Sequence, residues 1–273
     1  MQYKMPIREQ NSNKGTFGKV LNFSGSDNYI GAAYLSTLSS LKIGAGLSAL
    51  ASTKKVIASV STILPEAVYL SDKDALINLN NYTTFLIGCG FGLNSTSQKR
   101  FKHIINRLQK ETKPIVIDAD GLNLLARFTP SQPFSFREGD LILTPHPMEA
   151  ARLLGCSLED ILNNLENSAK KISEKFGCIT VLKTHRTIIC DKDFNIHINQ
   201  YGNSALAKAG TGDVLAGMIA GLLAQGMSGF DAAKLGVYLH SRAGEFASKD
   251  LTEYSVLATD VIKYLPQAIK EIL

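Results

Sequence analysis

Short apolar runs alternate along the chain with longer segments in which apolar positions recur every three or four residues. The runs at 20–23, 47–51, 85–87, 115–117, 141–143, 179–182 and 187–189 predict buried strands. Helices are expected over 30–43, in the segment closed by Gly155, over 158–176, after Asp213, and over 230–249 and 259–273. The 158–176 helix carries Ile161, Leu162, Leu165, Ala169 and Ile172 on one face, with Lys170 and Lys171 solvated. Strands and helices that alternate with no intervening linker predict an α/β fold: one domain over 1–273, with a doubly wound, mostly parallel central sheet flanked by helices. Such sheets take their ligands at the carboxyl ends of the strands.

Composition narrows the function classes. Twenty-nine Lys and Arg against 24 Asp and Glu give a net charge of +5 without a dense basic tract. That balance disfavours nucleic acid and suits small phosphorylated molecules. Cys89, Cys156, Cys178 and Cys190 form no C-x-x-C pair, which predicts reduced, buried thiols in a cytosolic protein and argues against structural zinc. The first fifteen residues hold no apolar signal core, and the most apolar helix, 214–227, is short and broken by glycines. The expectation is a soluble, cytoplasmic protein with no membrane span.

The candidate chemistry centres on 202–217. Gly210, Thr211 and Gly212 carry little bulk, so their N–H groups and the positive end of the next helix can gather an anion, phosphate being the natural one. Asp213 would repel that anion unless a substrate hydroxyl lay between them, as for a base in phosphoryl transfer; otherwise it only caps the helix. Ala216, Ala220 and Ala224, with Gly217 and Gly221, give that helix closely packing faces. The bend Gly88-Cys89-Gly90-Phe91-Gly92 follows a strand, yet is neither a Walker A loop nor a dinucleotide fingerprint. Asp118 and Asp120 end another strand and either face Mg2+ or cap the following helix; Asn123 can bond ligand or backbone. His146 is fixed between Pro145 and Pro147, and Glu149 is a dipole partner of the next helix or an acid on the magnesium side.

GNSALAKAGTGDVLAGMIAGLLAQG resembles the signature of the ADP/ATP-dependent NAD(P)H-hydrate dehydratases, a branch of the ribokinase-like superfamily. KGTFGKVLNFSGS, GAAYLS, KIGAGL, IGCGFG, IDADGLNLL, LTPHPMEAARLLG, VLKTHRTII and GVYLHSRAG resemble the same family in the same order, over nearly the whole chain. The resemblance implies a ribokinase-like fold and the repair of hydrated NADH or NADPH (NADHX, NADPHX). The S-form of the hydrate is phosphorylated and loses phosphate to restore NADH or NADPH, with ADP giving AMP, or with ATP as donor. It also implies Asp213 as the base that touches substrate, with substrate contacts from Ala33, Gly90 and His146. Nucleotide contacts are implied for Lys183, Thr184, His185, Arg186 and Thr187, together with Gly210, Thr211 and Gly212. Mg2+ bridging the phosphates, a homotetramer and an epimerase supplied by a separate chain are implied as well.

Several positions depart from the family pattern. Cys89 stands where proline is frequent, Met148 where glycine is, and Thr184 and His185 replace small residues. Ala205 and Ala209 replace glycines, and an ordinary φ is expected at Ala209. Two other readings share the same cradle: a vitamin-precursor or sugar kinase, which leaves a stable phosphorylated product, and a nucleotide-binding sensor without catalysis.

Overall fold

The structure, a computed structural model, describes residues 3–128 and 141–273. Its first half runs β1 (Lys19–Phe23), α1 (Ile30–Lys42), β2 (Leu47–Ala51), α2 (Lys54–Val60), β3 (Val68–Leu70), α3 (Asp72–Ile77), β4 (Thr84–Ile87), α4 (Ser95–Leu108), β5 (Ile115–Ile117) and α5 (Asp120–Phe128). It continues with β6 (Leu141–Leu143), α6 (Pro147–Leu154), α7 (Leu158–Asn163), α8 (Leu165–Phe176), β7 (Ile179–Leu182), β8 (Ile188–Cys190), β9 (Ile196–Ile198), α9 (Thr211–Ala224), α10 (Gly229–Ser255) and α11 (Ala258–Lys270).

The strands form one sheet in the order β3-β2-β1-β4-β5-β6-β7-β8-β9. β3 through β7 are parallel, while β8 and β9 are antiparallel. The expected mostly parallel, doubly wound sheet is therefore present. Alternate residues feed two cores. Val20, Leu86, Val116, Ile142 and Val181 face the layer of α9, α10 and α11, whereas Leu21, Phe85, Ile115, Leu141 and Leu182 face the layer of α4, α5, α6 and α8. Among the described residues no helix is long and apolar enough to cross a membrane.

α9 is buried from Val214 to Ala224, which its small residues allow. A methyl on Gly217 would stand 2.2 Å from the Ser36 carbonyl oxygen of α1, and one on Gly221 would stand 2.7 Å from that of Ser40. Ser36, Ser39 and Ser40 stay buried because each bonds a carbonyl one turn back. This close crossing brings the N-terminus of α9 to the carboxyl ends of β4 and β5. Replacing Gly217 by alanine should cost about 1–3 kcal/mol in urea unfolding despite the better helix propensity, since backbone cannot yield to the methyl. An unchanged unfolding midpoint would show that the crossing tolerates it.

Some expectations need correction. The single helix over 158–176 is two, α7 and α8, because Asn164 (φ −152°, ψ 70°) leaves the helical region and its side chain caps α8 by accepting the Asn167 N–H. The 230–249 helix extends to Ser255, with a break at Thr252 (φ 66°). Cys156 is exposed, unlike the other three thiols, although all four are free. Ala209 keeps an ordinary φ, since the non-glycine residues at positive φ among those described are Ala119, Phe194 and Thr252.

Candidate active site

Four strand ends and one helix start meet at the carboxyl edge of the sheet. β4 opens into the 88–92 bend, β5 into Asp118 and Asp120, β6 into Thr144 to Glu149, β7 into Lys183, and α9 supplies Gly212 and Asp213. Asp118, 1% exposed, takes Lys183 Nζ at 2.6 Å and the Thr144 hydroxyl at 2.7 Å. Glu149 Oε2 lies 4.0 Å from the same ammonium and accepts the His146 N–H at 2.8 Å. The Asp213 carboxylate, the Asp118 carboxylate and Cys89 Sγ have ligand atoms within 4.8 Å of one another.

Three carboxylates thus crowd one ammonium, and their protonation follows. Burial, then the charge of Asp118, pushes Asp213 from 3.8 up to about 7. Burial likewise raises Glu149 from 4.5 to about 7, against the pull of Lys183. For Lys183 burial works downward, but Asp118 and Glu149 outweigh it and hold the ammonium above its ordinary value. Burial, then Asp213 and Asp118, drives the Cys89 thiol well above 9.0. A carboxyl group poised near neutrality in a crowded cleft has the properties of a general base.

The amide cradle is narrower than the sequence suggests. Gly210 (φ 92°) precedes α9 with its open side against Leu35 and Ala258, and the Thr211 N–H is already taken by the Lys208 carbonyl at 3.3 Å. The first-turn N–H groups of Gly212 and Asp213 have no intrahelical acceptor and remain for an anion. A Cβ on Gly212 would sit 3.4 Å from Lys183 Nζ, so glycine leaves that approach clear.

A cavity of about 920 Å3 adjoins this cluster across Gly212. Lys183, Thr184, His185, Arg186 and Thr187 all line it, together with His146, Thr211 and Gly212. The same five residues also connect the antiparallel pair β7 and β8, so hairpin and pocket wall are one segment. Lys183 points inward to Asp118, not outward as a free cation.

The expected substrate contacts separate. His146 is about half exposed; its Nδ1 accepts the Met148 and Glu149 N–H groups, while Glu149 answers with the reciprocal capping bond. Ala33 has no exposed surface and packs with Leu50, Val56 and Val60, so core packing explains it. Gly90 (φ 61°) is buried, and a methyl there would stand 2.6 Å from Ala32 Cβ and 2.8 Å from Tyr29 Cβ. It is Tyr29, 54% exposed, that stands over this bend.

The carboxylates weighed for the magnesium side or for a helix start are each engaged within the protein. Asp120 accepts the Gly92 N–H at 2.7 Å and so braces the bend, Asp118 holds Lys183, and Glu149 caps α6. Asn123 is held by Arg152 at 2.7 Å. A protonated thiol and an ammonium inside the cluster do not suit Mg2+, which favours oxygen ligands, waters and substrate phosphates. The donor set does not fit an ion held by the protein alone.

Comparison with known proteins shows the family. A family model described as NAD(P)H-hydrate dehydratase matches residues 20–267. The chain belongs to the NAD(P)H-hydrate dehydratase family. It is similar to the ADP-dependent (S)-NAD(P)H-hydrate dehydratase of Bacillus subtilis, with 32% identity covering 97% of this chain and 94% of the relative. The bifunctional NAD(P)H-hydrate repair enzyme Nnr of Moorella thermoacetica is 34% identical over 98% of this chain, which spans only 52% of that relative's length. Among solved structures, the ADP/ATP-dependent NAD(P)H-hydrate dehydratase of Bacillus subtilis, co-crystallised with ATP and Mg2+, superposes with a TM-score of 0.88 at 32% identity, covering 98% of this chain and 95% of that one. A ribokinase-like superfamily protein of Enterococcus faecalis gives 0.87 at 31% identity, covering 98% and 92%, in line with the expected ribokinase-like fold.

In this dehydratase-family chain the sequence reading left Thr144, Cys89 and His240 without a place at the site. Asp118 and Thr144 carried a signal, each being a polar residue directly after a buried strand. His240, within α10, carried none beyond its segment.

Proposed function

We propose that the chain repairs hydrated nicotinamide cofactor, dehydrating the S-form of NADHX or NADPHX with ADP or ATP as the phosphoryl donor. The observation that carries this reading is Asp213: a carboxyl group pushed to about 7, one residue beyond Gly212, where free amides and the cavity meet. The cavity takes the nucleotide, its terminal phosphate held by the Gly212 and Asp213 N–H groups and faced by the Lys183 ammonium. Those donors lie where charge builds during transfer. The ionised Asp213 removes the proton of the ring hydroxyl as its oxygen attacks the terminal phosphorus, and AMP leaves when ADP is the donor. Phosphate then departs as the neighbouring carbon loses a proton, which restores the double bond. His146, beside the cluster, contacts the hydrate in this reading. Mg2+ is expected to arrive on the nucleotide's phosphates and to neutralise their charge. Relatives of matching length bear the name of this activity.

A single domain, a homotetramer, a cytoplasmic location and an epimerase acting on the same metabolite complete the proposal. Incubation with NADHX and ADP or ATP should return the near-ultraviolet absorbance of the reduced nicotinamide, and running both donors and both hydrates ranks them. A stable phosphorylated product without recovery would favour a kinase, and nucleotide binding without any product would favour the sensor. Because Asp213 must be ionised, kcat/KM should rise with pH through about 7 and level off above it. A flat profile from pH 5 to 9 would remove Asp213 as the titrating base.

A further inference from the structure

His240 lies in α10, 7% exposed, and lines the cavity. Its Nε2 stands 2.9 Å from the backbone oxygen of Thr211, the first residue of α9. A carbonyl oxygen only accepts, so Nε2 carries the hydrogen. Burial pushes the ring down to about 4, which keeps it neutral. A neutral ring with its hydrogen on Nε2 has a bare lone pair on Nδ1.

That lone pair has no hydrogen-bond partner among the described residues. Among the described residues the enclosed, unpaired side-chain atoms are Asn22 Oδ1, Ser24 Oγ, Thr84 Oγ1 and Asn199 Oδ1, and His240 Nδ1 is not one of them. It therefore retains access to open space, and the open space that His240 borders is the cavity. The wall around it is braced by neighbouring turns of α10: Ser241 takes Asn199 Nδ2 at 3.0 Å, Glu245 takes the Gly202 N–H at 2.6 Å, and Ser248 takes Asn203 Nδ2 at 2.8 Å. A fixed acceptor in a fixed wall selects for a ligand that brings a donor to it.

A nucleoside di- or triphosphate carries donors on its sugar hydroxyls and on an exocyclic amine of its base, and none on its phosphates. His240 touches Thr211, adjacent to Gly212 where the terminal phosphate is expected, and the sugar is the donor-bearing part nearest the phosphates. We propose that His240 binds the nucleotide by accepting a hydrogen bond from a sugar hydroxyl at Nδ1, while its Nε2–H holds the start of α9. This rests on the cavity taking a nucleotide.

The test is equilibrium binding of ADP, 2′-deoxyADP and 3′-deoxyADP to the whole chain and to His240→Gln. The glutamine amide nitrogen can keep the bond to Thr211, while its one acceptor, the amide oxygen, is displaced from the place of Nδ1. The unaltered protein should bind one deoxy analogue about five- to tenfold more weakly than ADP, the value of one neutral hydrogen bond. His240→Gln should bind ADP as weakly as that analogue and no longer tell the two apart. Equal binding of all three ligands by the unaltered protein overturns the proposal without reference to any variant, and so does discrimination that persists in a folded His240→Gln. Failure of ADP to bind at all would instead overturn the nucleotide reading, and this inference with it.

Discussion

Replacing Asp213 by asparagine should cut turnover about a thousandfold and yet leave a more stable protein. The two effects share one cause. In the folded state the Asp213 carboxyl group is pushed from 3.8 to about 7, first by burial and then by Asp118. Its folded state therefore holds the proton more tightly than the unfolded chain does. The contribution of this one group to stability is whole below about pH 4 and is lost as pH rises to about 7, by roughly 4 kcal/mol on the linkage relation. Asparagine resembles the protonated form, so the variant should match the parent near pH 4 and exceed it by about 2–4 kcal/mol above pH 7. Urea unfolding at both pH values reads the stability, and the absorbance recovery assay reads turnover. Lost turnover with equal stability at pH 8 would mean that Asp213 is well solvated, contrary to its crowding by Asp118 and Cys89. Retained turnover would remove it as the base.

A base held at a cost in stability explains what could be seen in the sequence and what could not. The central strands were legible because parallel strands buried on both faces read as unbroken apolar runs, as in Phe85-Leu86-Ile87 and Ile115-Val116-Ile117. The sheet's two margins were not. β3 and β9 are three residues each and half-exposed, so Val68-Tyr69-Leu70 and Ile196-His197-Ile198 give no such run. The break at Asn164 escaped because apolar positions keep a helical spacing across it; only the polar pair Asn163-Asn164 hinted at a cap.

The same division holds at the site. The glycine turn and Asp213 are contiguous, and their meaning is local: a helix start with small residues gathers anions. The partners that set the base near neutrality are not local. Asp118 and Lys183 lie 65 residues apart and meet because β5, β6 and β7 are adjacent and parallel. For two carboxylates the sequence left open a magnesium-facing role and one at a helix start, and the structure shows the bond that each makes. Asp120 braces the Gly92 bend and Glu149 caps α6, each using its carboxylate on a backbone N–H. Ala33, which motif position alone marked for substrate, sits where its helix faces the core.

The ion pair that organises this cluster should be the costliest single side chain to lose. Lys183→Met leaves Asp118, 1% exposed, as a buried carboxylate without a counterion, and removal of one partner from such a pair costs about 3–5 kcal/mol. That is a large share of the 5–15 kcal/mol typical of a domain. Because Asp118 and Glu149 hold the lysine above its ordinary value, the stabilisation from the pair is intact through neutral pH and fades only above about pH 10. The loss should therefore be plain at pH 7. Lys183 also pulls Asp213 downward, so any remaining activity should rise at a higher pH than in the parent. The double variant Lys183→Met with Asp118→Asn separates a broken pair from a damaged core. Once the stranded charge is gone, most of the lost stability should return, giving a coupling of about 2 kcal/mol or more in the four-way cycle. Additive losses in that cycle would show that Lys183 supports the fold through its packing, with Asp118 satisfied by Thr144 and other neighbours.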